Sequence, residues 1–467
     1  MEVPPALMRV LADPANVLAR GLADIRVEYQ VPATFPADVL AEAERAAARP
    51  PTDHADWTDR AFVTLDPASA TDLDQAFAIA RAGPDMVLHY AIADVGWFVA
   101  DGSQLDAEAW HRGTTLYLPD GKAPLYPPVL GEGAASLLPD VPRPAVVFSV
   151  RVDRQGEVRL DSVTRAVIRS RAKLAYETVR DDDLPAGFDE LTDRLNAAEQ
   201  RRGAARVDPP EQEVVALPDG GFDLRFRARR TAEDRNAALS LAANLAVADL
   251  LVAHQTGLFR VLSEPHEGAV RRLRHTAQAF GIAWPKTMSL VDFERGLDPK
   301  VREQAAMMAA IRRAGGGAAY EPFVADRTPW HAAVAATYAH ATAPLRRLAD
   351  RYVIEAALAL ANGQALPDGA AQAFARLPKV MARAEAQAGQ IERAVIDLAE
   401  AVVLADRVGD TFSAVVTDAD SRGDRIQLCA LPVVARLEAG RVTPGDAIDV
   451  ALQSADPGTR RIFFARR

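Results

Sequence analysis

Three aspartates lie between two short apolar segments of the chain. Asp66, Asp72 and Asp74 separate residues 62–65 from residues 76–79, and both apolar segments have the composition of buried strands. In an extended segment, residues two apart point the same way, so Asp72 and Asp74 face one point while Asp66 approaches it from the preceding strand end. Because unpaired carboxylates repel one another, this pattern favours a hard cation, Mg²⁺ or Mn²⁺. Loop aspartates also form Asx turns and strand caps, and from spacing alone that interpretation stays open.

The acidic segment resembles the metal-binding motif of the ribonuclease II family. That motif is an aspartate, then Pro or Ser, four variable residues and Asp-x-Asp-Asp-Ala. The resemblance implies four metal ligands: Asp66, Asp72, Asp74 and Gln75. Gln75 departs from the family, which has a fourth aspartate there. A neutral carbonyl oxygen is expected to hold Mg²⁺ more weakly than a carboxylate does.

A second segment with chemical character covers residues 338–351. It reads Tyr-Ala-His-Ala-Thr-Ala-Pro-Leu-Arg-Arg-Leu-Ala-Asp-Arg and resembles the family's Tyr-x-His-Phe-Thr-Ser-Pro-Ile-Arg-Arg-Tyr-x-Asp. Pro344 suits the first turn of a helix, which would place Arg346 near a helix N-terminus, a favourable phosphate site. The resemblance implies that Arg346 contacts the RNA phosphate beside the metal, with Arg347 also binding substrate. A surface salt bridge is the alternative.

Two further residues are candidates for substrate binding. Tyr176 lies in a Leu-Ala-Tyr-Glu segment that resembles the family's Leu-Thr-Tyr-Glu, whose tyrosine stacks on a base near the RNA 3′ end. The alternative is a core tyrosine of an amphipathic helix. Glu392 is the first residue of a Glu-Arg pair on a predicted helix, residues 377–404. The resemblance implies that Glu392 orients Arg346 or the substrate.

Charge and composition limit the kinds of binding site and the cell compartment that the sequence favours. The net charge of −10 argues against a protein that coats nucleic acid, but arginines cluster at residues 225–235, 271–274 and 346–351, which favours a narrow basic channel for one strand. The single cysteine, Cys429, excludes an intramolecular disulfide and a cysteine-rich zinc site. With no apolar run near the ~20 residues that span a bilayer, and no signal-peptide pattern, we expect a cytoplasmic monomer without a membrane segment.

The periodicities predict an α+β protein in three parts. Residues 1–50 hold two short helical patterns, over about residues 5–22 and 37–49, and form a small helical module of helix-turn-helix-like form. Residues 51–404 form a mixed α/β domain with an antiparallel or mixed sheet and long helices. In residues 405–467 five short strands alternate with turns, which predicts an all-β barrel resembling the family's S1-type OB domain.

These observations lead to one functional expectation and one rival. The resemblance implies a processive 3′-to-5′ exoribonuclease that hydrolyses single-stranded RNA to nucleoside 5′-monophosphates, with Asp72, Asp74 and Arg346 as the catalytic residues. About 50 residues stand where relatives carry two cold-shock domains, so we also expect entry into duplex RNA that has a 3′ overhang. The rival is an RNA-binding protein that keeps the fold but has weakened catalysis.

Overall fold

The structure is a computed structural model that describes residues 10–11, 16–204, 211–217, 221–227, 229–420, 423–437 and 442–467. Its helices are α1 Val17–Glu28, α2 Ala37–Ala47, α3 Val95–Phe98, α4 Gln104–Arg112, α5 Phe188–Arg202, α6 Thr231–Ala253, α7 Glu267–Ala279, α8 Leu290–Arg295, α9 Arg302–Ala314, α10 Leu348–Ala361 and α11 Asp368–Leu404. Its strands up to the long helices are β1 Val10–Leu11, β2 Ala55–Asp66, β3 Gln75–Ala82, β4 Asp85–Ala93, β5 Leu116–Leu118, β6 Gly121–Ala123, β7 Pro142–Val152, β8 Val158–Ala175, β9 Glu211–Ala216 and β10 Phe222–Arg227. The remaining strands are β11 Leu258–Val261, β12 Ala319–Pro322, β13 Trp330–His331, β14 Ala336–Thr337, β15 Thr411–Asp420, β16 Gly423–Leu428, β17 Val434–Leu437, β18 Ala447–Asp456 and β19 Arg461–Arg466.

The predicted mixed sheet is present, and it closes into a barrel. Strands β2, β3, β4, β7 and β8 follow one another around it, antiparallel except for the parallel pair of β2 and β8 that closes it. Phe77, Tyr90 and Phe148 lie opposite one another on neighbouring strands and are fully buried. Aromatic cross-strand neighbours of this kind fix the register of a sheet, because a one-residue slip would turn them out of the core.

Helix α6 is the central helix of the α-helical layer. It packs against β8, α5 and α10, and thirteen of its residues are buried. By length and composition α6 is apolar enough to cross a membrane, but 67% of its most apolar window is buried inside the protein. Its apolar character is therefore that of a core helix.

The N-terminal helices pack on the rest of the protein. Leu18, Leu22 and Ile25 recur at helical spacing along α1 and bury a stripe against α11, while α2 packs against α4. The sequence prediction of a first helix over residues 5–22 was wrong in its bounds. Residues 10–11 are a strand paired with β10, α1 continues to Glu28, and residues 5–9 and 12–15 lie outside the described residues.

The C-terminal strands form the predicted five-stranded barrel. Its order is β15, β16, β17, β19 and β18, with β17 and β19 parallel and the other neighbours antiparallel. Phe412 and Phe464 meet edge to face in its core. Confirmation of this barrel and of the mixed sheet confirms the α+β class.

A buried carboxyl group joins α11 to the C-terminal barrel. Glu400 on α11 is 2% exposed, and its Oε1 accepts hydrogen bonds from the Val434 amide at 2.7 Å and from Gln212 Nε2 at 2.6 Å. Burial raises the pKa of Glu400 to about 8, which the two hydrogen bonds oppose. The protonated, uncharged form of Glu400 is thus favoured at neutral pH.

The Glu400 junction predicts a pH dependence of stability. Because the pKa of Glu400 lies near 8 in the folded state and near 4.5 when unfolded, the folded state binds the extra proton between those values. Stability is therefore lost as pH rises from about 4.5 to 8, by up to ~1.4 kcal/mol per unit. Glu400→Gln should flatten this slope, measured by urea unfolding at several pH values. Equal slopes in the two proteins would show that Glu400 does not carry the effect.

Candidate active site

The acidic loop connects β2 to β3 and is folded inward by its backbone. Asp66 is the last residue of β2, and the loop returns at Gln75, the first residue of β3. Ser136 holds the loop from the side, since its hydroxyl accepts the Leu73 amide at 2.9 Å and donates to the Thr71 carbonyl at 2.8 Å. These contacts place the aspartates at one end of the first barrel, as the strand-loop-strand pattern predicts.

Asp74 joins the loop to the segment that precedes α10. Its Oδ1 accepts the Leu345 amide at 2.7 Å, and its Oδ2 lies 3.4 Å from Arg346 Nε. The side chain is 4% exposed, and burial raises the pKa of Asp74 to about 8 even though Arg346 acts to lower it. A buried carboxyl group whose pKa is raised this far becomes ionised at neutral pH when a further positive charge lies close to it.

Asp66 presents an oxygen that is ready for a cation. Its Oδ2 is buried and has no hydrogen-bond partner among the described residues. Burial raises the pKa of Asp66 to about 6, with Arg346 lowering it and the charge of Asp72 raising it. Buried polar atoms are normally paired, so this unpaired oxygen is the observation that fits a bound metal ion best.

Asp72 has cationic and hydroxyl partners that the sequence analysis missed. Lys122 Nζ donates to Asp72 Oδ1 at 2.7 Å, and the Tyr117 hydroxyl donates to Asp72 Oδ2 at 3.0 Å. Both partners lie on the β5–β6 hairpin, about fifty residues along the chain. Nothing local in the sequence signals that this lysine meets an aspartate.

Gln75 is held in a network of hydroxyl groups. Its Oε1 accepts hydrogen bonds from the Tyr90 hydroxyl and from Ser240 Oγ, the latter at 2.9 Å. Ser240 Oγ also lies 3.2 Å from Thr342 Oγ1, from which it can accept a hydrogen bond. Both lone pairs of the amide oxygen are thereby used. Ligation of a metal by Gln75 stays a prediction.

Across the described part of the chain, no group of three or more His, Cys, Asp or Glu side chains is arranged to hold a metal ion. The donor set nevertheless fits a hard cation in kind, because Asp74 is a buried carboxyl group and Asp66 is a half-buried one with a buried, unpaired oxygen. Asp66 and Asp74 are therefore the residues best placed to hold one.

Arg346 lies in a turn before α10 and not in the helix. The sequence analysis placed the helix start at Pro344, but α10 begins at Leu348. Residues from a distant segment of the chain bind this turn. The Arg346 carbonyl accepts hydrogen bonds from Thr114 Oγ1 at 2.7 Å and from the Thr115 amide at 3.0 Å. These contacts fix the Arg346 backbone beside the acidic loop.

The Arg347 side chain forms an ion pair within the protein. Its guanidinium binds Asp350 with two hydrogen bonds of 3.0 and 2.8 Å. Asp350 Oδ1 also accepts the amides of Thr342 and Ala343, so the pair stabilises the turn that carries Arg346. The substrate-binding role predicted for Arg347 stays a prediction.

Tyr176 follows the end of β8 and is not in a helix. Its amide donates to the Asp66 carbonyl at 3.1 Å, and its hydroxyl accepts from Asn236 Nδ2 at 2.8 Å. Asn236 also donates to the Leu65 carbonyl at 3.0 Å, which ties α6 to both strands. The residue is half-buried and packs against the edge of the main hydrophobic core.

Glu392 is not brought to this group of residues. It lies exposed on α11, and the charged groups that act on it are Glu211, Arg312 and Arg393. On the same helix Glu385 binds Arg260 at 2.9 Å, and Arg260 lies over the Tyr320 ring. Among the described residues no contact supports the orienting role of Glu392, which stays a prediction.

The first arginine cluster is largely paired with acids. Arg225 binds Glu213, Arg227 binds Glu233, and Arg235 binds Asp189. These ion pairs neutralise part of the positive charge that the sequence predicts for a channel that holds one nucleic-acid strand.

Two families of known domains match the chain. The RNB domain matches residues 54–360, and the RNase II-type exonuclease C-terminal S1 domain matches residues 410–467. Ribonuclease R of Thermotoga maritima is 27% identical over 430 residues, a match that covers 84% of this chain and 59% of that protein.

Solved structures show the same fold. RNase R of Mycoplasma genitalium in complex with ribose methylated single-stranded RNA has a TM-score of 0.84 at 21% identity and covers 98% of this chain and 79% of that one. The same protein in complex with double-stranded RNA gives 0.82 at 21% identity, with 98% and 85% covered. Since the RNB match alone spans more than half of the sequence, the chain belongs to the ribonuclease II family, with an RNB domain followed by an RNase II-type S1 domain.

Proposed function

We propose that this protein is a hydrolytic 3′-to-5′ exoribonuclease that degrades single-stranded RNA processively to nucleoside 5′-monophosphates. The observation that carries the proposal is the meeting of Asp66, Asp74 and Arg346 at one end of the first barrel. Membership of the ribonuclease II family and the RNA-bound relatives of the same fold support it. The chain spans 59% of the length of its Thermotoga relative, so the activity is inferred from the site as well as from the family.

Asp66 and Asp74 are the proposed ligands of a divalent cation, Mg²⁺ or Mn²⁺. Such an ion, when bound, supplies a nucleophilic water and stabilises negative charge on the phosphate and leaving oxygens. The two aspartates contribute the negative charge that holds the ion. Their burial keeps competing water away, which strengthens each electrostatic interaction in the site.

Arg346 is the proposed phosphate-binding residue. Its side chain is 43% exposed, while Asp74 holds one edge of the guanidinium and Thr114 and Thr115 fix its backbone. A guanidinium that is oriented in advance binds a phosphate with charge-assisted hydrogen bonds at little entropic cost. Arg346 can therefore offset the charge that develops on the scissile phosphate.

Tyr176 is the proposed platform for a base near the 3′ end. Because Asn236 fixes its hydroxyl and the Asp66 carbonyl fixes its amide, the ring has a set position relative to the acidic loop. Stacking accepts any base, which suits an enzyme that removes nucleotides in sequence. The S1-type barrel adds a second surface of the kind that tracks single-stranded RNA.

A second candidate function is binding of RNA without cleavage. It is favoured by the Lys122–Asp72 ion pair and by the neutral Gln75, which together reduce the negative charge of the loop. The exoribonuclease is preferred because Asp66 and Asp74 remain to hold a cation and Arg346 remains to bind a phosphate.

A cleavage assay decides between the two functions. A 5′-labelled single-stranded RNA is incubated with the purified protein and Mg²⁺, with EDTA as the metal-free control and single-stranded DNA of the same sequence as the specificity control. The expected result is shortening of the RNA from its 3′ end and release of mononucleotides, only with the metal. RNA that is bound but stays intact over the full range of Mg²⁺ and Mn²⁺ concentrations would establish the second function.

Tyr176→Ala should weaken RNA binding by about 1–3 kcal/mol, the usual contribution of one stacked base. Tyr176→Phe should bind as the wild type does, because it keeps the ring and loses only the contact with Asn236. Fluorescence anisotropy with labelled single-stranded RNA in EDTA measures both affinities without cleavage. An equal loss in the two variants would assign the effect to the hydroxyl and its network, and not to stacking.

A further inference from the structure

The Lys122 ammonium fills a small pocket of oxygen atoms at the edge of the acidic loop. Nζ lies 2.7 Å from Asp72 Oδ1, 3.1 Å from Glu132 Oε1 and 3.2 Å from Thr71 Oγ1. An ammonium has three N–H donors, and here each donor has an oxygen acceptor. The lysine side chain is 20% exposed, so the ammonium is largely enclosed by these three residues.

The pocket leaves Asp72 with both oxygens occupied. Oδ1 accepts from Lys122, and Oδ2 accepts from the hydroxyl of Tyr117. Asp66 and Asp74 differ from Asp72 in this respect. Within the described residues Asp66 Oδ2 is unpaired, and Asp74 Oδ2 has only the longer contact of 3.4 Å to Arg346. The carboxylates that can accept a metal ion are therefore Asp66 and Asp74.

The charges at the site also distinguish Asp72 from Asp66 and Asp74. Lys122 neutralises one of the three aspartates, and Gln75 contributes no charge. The two remaining carboxylates, Asp66 and Asp74, carry −2 when ionised and Arg346 contributes +1, so one divalent ion already more than balances their charge. A second divalent ion would have to displace the ammonium from Asp72, because two cations at one carboxylate oxygen repel each other strongly.

We propose that Lys122 takes the place of a second metal ion at Asp72, so that this protein binds one divalent ion, at Asp66 and Asp74. Lys122 is a positioning residue that acts through Asp72. The inference rests on the proposed function for the identity of the acidic loop as a metal site. It is specific to this chain, since it depends on Lys122 and Gln75 together.

The number of bound ions tests the inference directly. Mn²⁺ is titrated into the metal-free protein, and free Mn²⁺ is followed by electron paramagnetic resonance without RNA. We expect one ion per wild-type chain. Lys122→Met keeps the aliphatic stem, removes the charge and frees Asp72 Oδ1 and Glu132 Oε1, so it should bind two ions. Lys122→Arg keeps the charge and is the matched control, which should bind one.

Two further variants keep the test decisive if Lys122→Met does not fold. Asp72→Asn should still bind one ion, because Asp72 is not a ligand in the wild type. In a folded Lys122→Met protein, adding Asp72→Asn should return the number from two to one. Thermal melting curves check the folding of each variant.

Two ions in the wild type, or loss of Mn²⁺ binding in Asp72→Asn, would overturn the inference. A Lys122→Met protein that is folded and still binds one ion would do the same. These outcomes are separate from the fate of the proposed function. A single bound ion in a protein that does not cleave RNA would remove the exoribonuclease proposal alone, whereas two ions in an active wild type would remove only the role of Lys122.

Discussion

Asp74→Asn is expected to abolish RNA cleavage while leaving the affinity for single-stranded RNA within a few-fold. Asparagine keeps the Oδ1 that accepts the Leu345 amide, so the turn before α10 stays in place. It cannot take up the negative charge that a bound cation and Arg346 would stabilise. Loss of metal-based charge stabilisation costs several kcal/mol in the transition state, on the order of 10³-fold in rate.

The variant should fold normally. Because burial raises the pKa of Asp74 to about 8, the uncharged side chain is already favoured at neutral pH without a metal. Single-turnover cleavage and anisotropy in EDTA give the rate and the affinity separately.

Asp85→Asn is the matched control. Asp85 is paired with Ala82 at the turn that joins β3 to β4, the opposite end of the hairpin from the acidic loop, and it faces Arg151 at 3.7 Å. The same chemical change there should leave cleavage unaltered. Robust cleavage by Asp74→Asn, or an equal loss in both variants, would contradict the assignment of Asp74.

Local pattern was sufficient where function depends on residues adjacent in sequence. The two apolar segments were visible as strands, and Asp66, Asp72 and Asp74 lie at the end of β2 and in the loop that leads to β3. The five short strands of the C-terminal barrel were likewise visible as alternation between turns. In both cases the physical cause acts over a few residues, so the sequence displays it.

Contacts between distant segments account for what the sequence could not show. The pairing of β2 with β8 closes the first barrel across about a hundred residues, and its parallel direction has no local signature. Lys122 meets Asp72 only because the β5–β6 hairpin folds over the loop. The late start of α10 has the same origin, since Thr114 and Thr115 bind the Arg346 carbonyl and prevent the helix from including it.

Arg351→Met is expected to cause the largest loss of stability. Arg351 on α10 has a side chain that is 0% exposed and binds three carboxylates: Asp106 at 2.8 Å, Asp101 at 2.5 Å and Glu355 at 3.1 Å. Methionine fills much of the space but leaves those carboxylates without a cation. Removing one partner of a buried ion pair costs about 3–5 kcal/mol, because the remaining charge is left uncompensated.

The loss in Arg351→Met should depend on pH. Burial already raises the pKa of Glu355 to about 6, and Arg351 is the first group that opposes this. Without the arginine the carboxyl group of Glu355 stays protonated to higher pH in the folded state than in the unfolded state. The folded variant then binds more protons, so its stability falls as pH rises, and the difference from wild type should be larger at pH 8 than at pH 5.

Urea unfolding at the two pH values measures this difference, with Arg81→Met as the control. Arg81 also pairs with a carboxylate, Glu190, but its side chain is 61% exposed, so water replaces the lost charge and the effect on stability should be much smaller. Adding Asp106→Asn to Arg351→Met should recover part of the loss, because an amide needs no cation and can still accept the hydroxyl of Tyr352. If Arg351→Met and Arg81→Met cost the same, the buried carboxylates must be neutral in the native protein, and the network would owe its stability to packing and hydrogen bonds in place of charge.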